Sequence, residues 1–600
     1  MKKERTKITT IFIYIFGRYR IQVTLLVILG FLGGMLEGVG VSAVIPALSF
    51  LFGGGEQLAG GVVSQAIKTF FVFFSIPFSF RYLLGMIAGL FILRAFILGI
   101  FTYVRARIGS EFVSEEMSDI LSATFKARWP FLLKQKIGFV QNTIVLDVRR
   151  SANLLDVFTQ VIQSFSGLLV YLIVALSISP RITLLTLGTG GILLFVLRPL
   201  VKKTQSVNEQ ASIIDKQFSQ HMTEHIGGIK VVKASGEERR VLEKAKELLS
   251  SLQVLYVRNI VVQALGTIFI QPFSIVFIII IFAFAYKAPG FNLAAFAATL
   301  YLIQKIFIYL QSGQSAIHSV SELLPYAANV LHFKDNLTHN IEVEPKEHKR
   351  FNFDTSLQFK NIGFAYDQGA DIVLKDVSFI IKKGETIGLI GPSGAGKTSV
   401  ADLFLRLFNP TTGEIILDGV NIQDIDLQEW RSRIGYVSQD IFLVNETIRH
   451  NIQFYEDTLS QEDIERATKQ AHIYDFISCL PEGFDTIVGD KGVMLSVGQR
   501  QRIALARVLA RRPDILVLDE ATSALDNESE LLVQKAINEL RGKVTVFIIA
   551  HRLSTIMNAD RLLVLRGGRI EEEGKPQDLL QNKDSYFYKV NKKHHDPLVG

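Results

Sequence analysis

The chain has 600 residues, of which 49% are hydrophobic, with a mean hydropathy of +0.30 and a net charge of +7. This length allows several domains, and the apolar content, concentrated in the first half, is high for a wholly soluble protein. A single cysteine, Cys479, excludes an intramolecular disulfide and any multi-cysteine metal site.

The first half contains apolar stretches long enough to cross a bilayer, which takes about 20 helical residues. Six membrane spans are predicted: Ile21–Leu51, Tyr82–Tyr103, Leu155–Ile178, Ile182–Val201, Ile260–Tyr286 and Leu293–Gln311. The apolar stretch Ala66–Phe78 is shorter and contains Pro77 near its end, so we predict a turn there. The pattern of Ile8–Tyr19 is typical of an amphipathic helix lying on the membrane surface.

Basic residues lie mainly between the spans, which indicates membrane topology rather than a nucleic-acid surface, and no nucleic-acid partner is expected. The long loops Val104–Asn153 and Lys202–Asn259 are rich in Lys and Arg, whereas Phe52–Arg81, Ser179–Arg181 and Lys287–Asn292 carry little charge. This asymmetry predicts a multi-pass protein of the cell membrane with the long loops and both termini in the cytoplasm. The helical pattern of the long loops also predicts that the membrane helices continue beyond the bilayer.

Several polar or ionisable residues lie inside the predicted spans, where exposure to hydrocarbon is costly. Glu37, Arg94 and Gln304 are candidate residues of a substrate path, because such groups face an interior cavity or pair with one another. A structural ion pair explains Glu37 and Arg94 equally well. For Lys305 we favour a side chain that extends toward the membrane interface.

The composition becomes that of a soluble protein in the second half. We predict a membrane domain at residues 1–318, a polar linker at 319–352 and a soluble domain at 353–593. The alternating stretch Leu357–Tyr366 predicts an antiparallel strand at the start of the soluble domain. Strand and helix patterns then alternate to the end, which indicates an α/β domain.

A glycine-rich loop of the α/β domain reads G-x-x-x-x-G-K-T between a predicted strand and a predicted helix. Its candidate nucleotide-binding residues are Gly391, Pro392, Ser393, Gly394, Ala395, Gly396, Lys397, Thr398 and Ser399. Glycines let successive backbone N–H groups face phosphates, and the helix N-terminus adds positive potential. Lys397 is placed to reach the β- and γ-phosphates, and the Thr398 hydroxyl to bind Mg²⁺. The loop therefore predicts binding of a nucleoside triphosphate.

An apolar run, Ile515–Leu518, ends in the two carboxylates Asp519 and Glu520. Such a run predicts a buried central strand, and an open α/β sheet binds ligands at the carboxyl ends of its strands. We expect Asp519 to hold Mg²⁺ and Glu520 to polarise the attacking water. Together with the glycine-rich loop, this pair predicts hydrolysis of the triphosphate.

The segment Leu495–Gln501 resembles the signature motif of ATP-binding cassette (ABC) proteins, and other motifs of that family are present in order. Within this segment Ser496, Gly498 and Gln499 are the ATP contacts that the resemblance implies. The resemblance also implies roles for residues outside this segment. Tyr366 would stack on the adenine, and Gln439 would sense Mg²⁺. Asp526 would belong to a loop that crosses the dimer interface, and His551 would be the catalytic switch residue.

Nearly the whole chain is similar to an ABC exporter half-transporter, of the kind that flips lipids or lipid-linked oligosaccharides or of the kind that exports several drugs. The resemblance implies a six-span α-helical membrane domain fused to a cytosolic α/β P-loop ATPase, with ATP and Mg²⁺ as cofactors. Its expected catalytic residues are Lys397, Gln439, Glu520 and His551. The implied partner is a second half-transporter, either another copy or a different chain, whose signature turn (Ser496 and Gly498 in this chain) completes each ATP site.

Two residues depart from the family pattern. Val497 stands where the family usually has glycine, and Asp490 replaces a more usual glutamate. If Ser496 is a helix N-cap, Val497 is the first helical residue, with an ordinary negative φ, and Gln499 completes a capping-box spacing. Neither departure removes a catalytic group. Either one is compatible with weaker coupling between the domains or with pairing to a different chain.

The predicted function is ATP-driven export or flipping of a lipid-like or amphipathic substrate by alternating access, with membrane lipid as a partner. Wide cavities with few charges suit such a substrate. Within transport, the alternatives are a drug exporter and a peptide exporter. Outside transport, they are a soluble cassette ATPase acting on nucleic acid, which six spans argue against, and a nucleotide-gated membrane regulator that does not pump.

Overall fold

The structure, a computed structural model, describes residues 14, 17–51, 62–286, 293–342, 349–367, 369, 371–520, 526–550 and 552–595. These residues form two compact units, one within 1–127 and 131–341 and the other within 128–130 and 342–600. The first unit contains the predicted spans, and the second contains the predicted nucleotide motifs.

The membrane unit is helical, apart from an isolated β-bridge, in the part that the structure describes. The α-helices between residues 20 and 339 are, in chain order, α1 (Arg20–Ser42), α2 (Val44–Leu51), α3 (Val62–Phe73), α4 (Phe80–Phe125), α5 (Trp129–Leu133), α6 (Ile137–Asn142), α7 (Val148–Ile178), α8 (Pro180–Gly227), α9 (Ile229–Ser235), α10 (Glu238–Ile268), α11 (Ile270–Ala285) and α12 (Leu293–His339). A π-helical stretch, Thr143–Asp147, joins α6 to α7.

Membrane crossing can be judged from helix length and apolar composition. Among the described residues, five stretches qualify: Arg20–Ser42, Phe80–Phe125, Ile137–Ile178, Pro180–Gly227 and Glu238–Phe284. The sixth predicted span, Leu293–Gln311, forms the start of α12. The six-span prediction is therefore confirmed in outline.

The long helices extend well past the lengths that a bilayer requires. Helix α4 has 46 residues and α8 has 48. At 1.5 Å per residue, helices of this size are about 70 Å long, against a hydrocarbon core of about 30 Å. Their extensions run into the long basic loops, as the sequence predicts.

Two short segments near the N-terminus differ from the prediction. The first predicted span, Ile21–Leu51, is divided at Ala43 into α1 and α2, and Pro46 lies in the first turn of α2, where its missing N–H costs no helical hydrogen bond. The segment predicted as a turn forms helix α3, and the turn follows at Ser75, with φ of 55°. Because Ile67 and Phe71 of α3 are buried, packing explains why this segment is helical.

The predicted linker begins inside a helix, because α12 continues without interruption to His339. Pro325 lies within α12, although a proline inside a helix costs about 3 kcal/mol. Buried side chains on the same helix, among them Ala327, Val330 and Phe333, pack in two apolar clusters of the membrane unit. This packing outweighs the backbone cost that suggested a helix end.

The second unit contains two sheets flanked by helices. Its strands are β1 (Ser356–Phe364), β2 (Leu374–Lys382), β3 (Thr386–Ile390), β4 (Thr412–Leu417), β5 (Val420–Asn421), β6 (Ile434–Val437), β7 (Ile515–Asp519), β8 (Thr545–Ile549), β9 (Arg561–Arg566) and β10 (Arg569–Gly574). Its α-helices are α13 (Lys397–Phe404), α14 (Leu427–Arg433), α15 (Ile448–Gln453), α16 (Gln461–Gln470), α17 (Tyr474–Ser478), α18 (Val497–Ala510), α19 (Asn527–Leu540), α20 (Leu553–Ile556), α21 (Pro576–Gln581) and α22 (Tyr586–His595).

The sheet order determines where the nucleotide motifs meet. One sheet has the order β2-β1-β4-β5, and its β1 is antiparallel to both neighbours, as predicted. The other has the order β10-β9-β3-β8-β7-β6, with parallel pairing from β9 to β6. All residues of β3, β7 and β8 are buried. The loop after β3 and the carboxylates after β7 therefore lie at the same edge of the sheet.

Candidate nucleotide site and membrane cavity

The glycine-rich loop joins β3 to α13 and requires glycine at specific positions. At Gly391, an added Cβ would lie 2.1 Å from the carbonyl oxygen of Leu565. Gly394 and Gly396 have φ of +79° and +102°, a backbone region that side chains disfavour. Helix α13 begins immediately afterwards at Lys397, so the loop and the helix N-terminus direct backbone N–H groups to one place.

The side chain of Lys397 lies across this loop. Its Nζ donates hydrogen bonds to the carbonyl oxygens of Gly391 and Pro392, both at 3.0 Å. Burial lowers the pKa of Lys397, whereas the carboxylates of Glu520 and Asp519 act in the opposite direction. The amine is thus held at the loop by weak neutral acceptors that a phosphate oxygen can replace.

The two carboxylates at the end of β7 differ in their surroundings. Asp519 is buried, and Tyr436 on the neighbouring strand β6 donates a hydrogen bond to its Oδ2 at 3.5 Å. Burial, followed by the nearby Glu520 carboxylate, raises the pKa of Asp519 to about 6. Glu520 has φ of 49°, so the chain turns sharply where the strand ends. Gln439 donates from Nε2 to Glu520 Oε2 at 2.8 Å.

The predicted adenine-stacking residue is held against α13. The Tyr366 hydroxyl lies 2.7 Å from Ser399 Oγ. Its ring packs edge-on against Phe364 and Phe408, with centroids 4.9 and 5.2 Å away. Tyr366 is nevertheless 42% exposed, which leaves part of the ring accessible to a base. Thr398 is also exposed at the start of α13, so its hydroxyl is accessible.

The signature turn has the local structure that its sequence predicts. Ser496 is the N-cap of α18, and its Oγ accepts from the Gln499 N–H at 3.2 Å while its own N–H donates to Gln499 Oε1 at 2.8 Å. Val497 is the first residue of α18, and Gly498 is buried. The capping box therefore forms with valine in place of the family's glycine.

The structure brings some predicted nucleotide residues together and leaves others apart. Lys397, Asp519, Glu520 and Gln439 share one edge of the sheet through the contacts described above. Over the described residues, no hydrogen bond or ion pair connects the signature turn to the glycine-rich loop of the same chain. Asp526 is the N-cap of α19 and accepts from the Ser529 N–H at 3.2 Å. The switch candidate His551 lies outside the described residues, as does the segment 521–525.

Tyr436 is a residue of this site that the sequence analysis missed. It precedes Gln439 by three positions, on the strand that pairs in parallel with β7. Tyr436 could have been found from the sequence, because its strand pattern lies directly before the predicted site residue Gln439. Neighbouring parallel strands present side chains to the same edge of a sheet.

Glu37 is the centre of a buried ion cluster in the membrane unit. It is 5% exposed, and its carboxylate lies 2.7 Å from Arg94 Nη2 and 3.0 Å from Lys305 Nζ. The Tyr309 hydroxyl donates to the same carboxylate at 2.9 Å. The expectation that Lys305 extends to the membrane interface is therefore wrong. An available buried carboxylate offers better stabilisation for its ammonium group.

Gln304, the third candidate of the substrate path, belongs to a different place. It lines a cavity of about 510 Å³ between α11 and α12. Neither Glu37 nor Arg94 lines this cavity. The sequence grouped the three residues by polarity, whereas the helix faces separate them, because Gln304 and Lys305 are adjacent in α12 and point to different sides.

We expect the stability of the nucleotide-free protein to depend on pH through Asp519. Its folded-state pKa, about 6, lies above the ordinary value of 3.8, so ionisation destabilises the fold as pH rises from about 4 through 6. Asp519→Asn should therefore raise the free energy of unfolding by on the order of 3 kcal/mol at pH 8 and by about half as much at pH 5. Thermal unfolding with a chelator present measures both.

Asp457→Asn, an exchange at an exposed turn, is the control for this measurement. A melting temperature that falls at pH 8 in Asp519→Asn, or that shifts equally at both pH values, would contradict the burial argument.

Comparisons with known proteins match both units. A family model for the ABC transporter matches residues 374–523, and one for the ABC transporter transmembrane region matches residues 14–288. An ATP-dependent lipid A-core flippase of Thiobacillus denitrificans is 33% identical over 84% of this chain and 87% of its own length. The heterocyst differentiation ATP-binding protein HepA of a Nostoc species is 32% identical over 78% of this chain and 77% of its own length.

The fold also matches a solved structure. That of a bacterial Atm1-family ABC exporter with ATP bound aligns with a TM-score of 0.79, covering 96% of this chain and 98% of the other at 23% identity. The matches thus cover the membrane unit and the nucleotide unit in one chain. The chain belongs to the ABC transporter family, and it is a multi-pass membrane protein with an ATPase coupled to transport.

Proposed function

We propose that the chain is one half of a homodimeric exporter that moves a lipid-like or amphipathic substrate across the membrane by alternating access. Several relatives at 29–33% identity over 84% of this chain are ATP-dependent lipid A-core flippases, which supports a lipid-like substrate. The cavity between α11 and α12 combines apolar and polar side chains, as an amphipathic ligand requires.

The proposed nucleotide is ATP with Mg²⁺, and the residues present fit both. Thr398, Gln439 and Asp519 offer the oxygen ligands that Mg²⁺ prefers, and the buried carboxylate of Asp519 lacks full compensation, as its raised pKa shows. Bound Mg²⁺ would neutralise charge on the β- and γ-phosphates. The backbone N–H groups from Gly391 to Thr398 would hold the triphosphate, and Tyr366 would stack on the adenine.

In the proposed reaction, the side chains of this chain position the triphosphate and polarise the attacking water. Lys397 would exchange its carbonyl partners for phosphate oxygens. Glu520 would orient the attacking water and accept its proton. Gln439, already 2.8 Å from Glu520, would sense whether ATP and Mg²⁺ are bound. His551 would contact the γ-phosphate by the family resemblance. Little covalent chemistry is required, because positioning and charge stabilisation dominate phosphoryl transfer.

The dimer proposal is supported by the signature turn and the phosphate loop, which are each formed within the chain but share no described contact there. The signature turn is capped by Ser496 and Gln499, and the phosphate loop is built by its glycines, yet no described hydrogen bond or ion pair joins them within the chain. We propose that Ser496, Gly498 and Gln499 of one copy face the triphosphate held by the other, with Asp526 at the interface. Closing this ATP sandwich would favour one access state of the membrane unit, and hydrolysis would restore the other.

The proposed orientation places the nucleotide unit and both termini in the cytoplasm of a cell-membrane protein. Its support is the excess of Lys and Arg in the loops Val104–Asn153 and Lys202–Asn259 over the other loops between spans.

Reconstitution tests the proposed function. Purified protein in liposomes should move a fluorescent lipid between leaflets when MgATP is supplied, and the Glu520→Gln variant, equally reconstituted, should not. Lipid movement that does not depend on ATP, or none with any lipid despite active ATPase, would contradict the proposal.

A further inference from the structure

A buried group of polar side chains joins three long helices of the membrane unit. Thr204 and Asn208 lie on α8, Asn259 on α10, and Gln314 and His318 on α12, and each is at most 7% exposed. We call these five side chains the polar seam. Among the described residues, several of their buried atoms have no hydrogen-bond partner: Asn208 Nδ2, Asn259 Oδ1, His318 Nε2 and both amide atoms of Gln314. Buried polar atoms are rarely left unpaired, so packing alone does not explain this seam.

His318 is bound to α8 through one side of its ring. Its Nδ1 lies 3.0 Å from the Thr204 hydroxyl, which donates its own proton to the Leu200 carbonyl at 3.1 Å. Because a hydroxyl has a single proton, His318 Nδ1–H is the donor to Thr204. The neutral ring therefore carries its lone pair at the buried Nε2, and a further proton would bind there.

The Nε2 side of the ring faces α10 at a glycine. A Cβ added at Gly266 would lie 3.1 Å from His318 Nε2 and 2.8 Å from Gln314 Nε2, so both nitrogens border the same small space beside the α10 backbone. The side chain that shares this space with the ring is thus an uncharged carboxamide.

The charged groups on neighbouring turns are exposed or already paired. Those exposed beside residues of the polar seam are Lys202, Lys203 and Glu209 on α8 and Arg258 on α10. Glu322, one turn further along α12, accepts from Gln263 Nε2 at 3.1 Å. On α7, which also packs against α12, Asp156 pairs with Arg105 at 3.1 Å. Burial lowers the pKa of His318 below its ordinary value of 6.5, and no charged group among the described residues offsets this effect.

We propose that His318 is a proton-sensitive latch of the membrane unit: its neutral ring holds α12 against α8 and α10, and a proton at Nε2 loosens this packing and slows ATP turnover. A protonated ring would be a buried cation with no carboxylate to pair with, so the packed arrangement resists protonation. Separation of the helices exposes the ring to water, where it accepts the proton readily. Since α12 runs unbroken from Leu293 to His339, loosening at His318 acts on the whole helix.

The sign of the pH dependence follows from the direction of the pKa shift. The pKa of His318 is lower in the packed arrangement than in the separated one, in which it takes its ordinary value of 6.5. The packed arrangement therefore keeps its full stability above about pH 6.5 and loses it as the pH falls further. At pH 5.5, one unit lower, protonation can favour separation by up to about tenfold.

The pH profile of ATP turnover tests the latch in the full-length protein in nanodiscs. We compare the wild type with His318→Gln, which keeps a hydrogen-bonding side chain but cannot take up a proton. The ratio of turnover at pH 5.5 to turnover at pH 7.5 should be about three- to tenfold lower in the wild type. Wild-type activity should recover when pH 7.5 is restored. His332→Gln, the same exchange at an exposed position of α12, should follow the wild type.

A second substitution adds the missing opposite charge and leaves the ring unchanged. Gln314→Glu places a carboxylate beside His318 Nε2 with little change in size, so the protonated ring gains a partner. We expect the acid loss of turnover to shrink to within about twofold of that in His318→Gln, and the melting temperature at pH 5.5 to exceed that of the wild type. Asp519 is present in every variant, so its own titration cancels in the comparison.

Parallel pH profiles of the wild type and His318→Gln would overturn the latch. An acid loss in Gln314→Glu equal to that of the wild type, or one that persists after return to pH 7.5, would overturn it as well. These readouts need no transported substrate, so the latch and the proposed function fail separately. A latch without lipid movement would refute only the proposed function, and lipid movement without a latch only this inference.

Discussion

Replacing Glu520 by glutamine is expected to abolish ATP turnover while ATP remains bound. The Glu520 carboxylate follows Asp519 at the end of β7 and accepts a hydrogen bond from Gln439 at 2.8 Å. Glutamine keeps the size of the side chain but cannot take a proton from the attacking water. A general base contributes about 10²–10⁴-fold to such a step, so kcat should fall at least about a hundredfold.

Retained nucleotide distinguishes this result from misfolding. The variant should co-elute with ATP as a dimer in gel filtration, whereas the wild type should release ADP. Glu528→Gln, the same exchange at an exposed position of α19, should behave as wild type. Turnover by Glu520→Gln within a few-fold of the wild-type rate would refute the role proposed for this carboxylate.

The second large effect is expected from Ser496→Ala. In the proposed dimer the Ser496 hydroxyl and the N-terminus of α18 face the partner's triphosphate. The substitution removes the hydroxyl, a donor aimed at developing charge, and keeps the backbone N–H groups of the helix N-terminus. Removing one such donor costs about 10²–10³ in kcat, and we expect a loss of this size. Losing the N-cap itself costs only about 1 kcal/mol of stability.

Another N-cap serine of the same unit separates these two effects. Ser460 caps α16 by accepting from the Asp463 N–H, as Ser496 caps α18. Ser460→Ala should lower the melting temperature to a similar degree and retain turnover. Equal losses of turnover in the two variants would show that the cap at Ser496 is structural only.

Local sequence patterns predicted several elements of the nucleotide unit, because the interactions that form these elements join residues close together in the sequence. The buried run before Asp519 gave a central strand, and the spacing of Ser496 and Gln499 gave a capping box. Alternation in β1 identified an antiparallel strand. Each of these features depends on residues within a few positions of one another, so the sequence pattern contains what is needed.

The membrane unit was harder to predict because tertiary packing decides its details. Continuation of α12 past Pro325 depends on apolar partners distant in sequence, and the contact of Lys305 with Glu37 joins residues 268 positions apart. Glu37 and Arg94 lie in an ion cluster, whereas Gln304 lines the cavity, and this difference depends on which face of each helix meets its neighbour. Polarity alone does not contain that information.

The most direct test of the ATP sandwich mixes two inactive chains. Lys397→Ala removes the amine that is proposed to bind phosphate, and Ser496→Ala removes the signature hydroxyl, so each homodimer should have two defective sites. In a mixed dimer one site combines an intact phosphate loop with an intact signature turn, and an equal mixture should recover about a quarter of wild-type turnover. Recovery no greater than the sum of the separate variants would contradict the shared site on which the transport cycle depends.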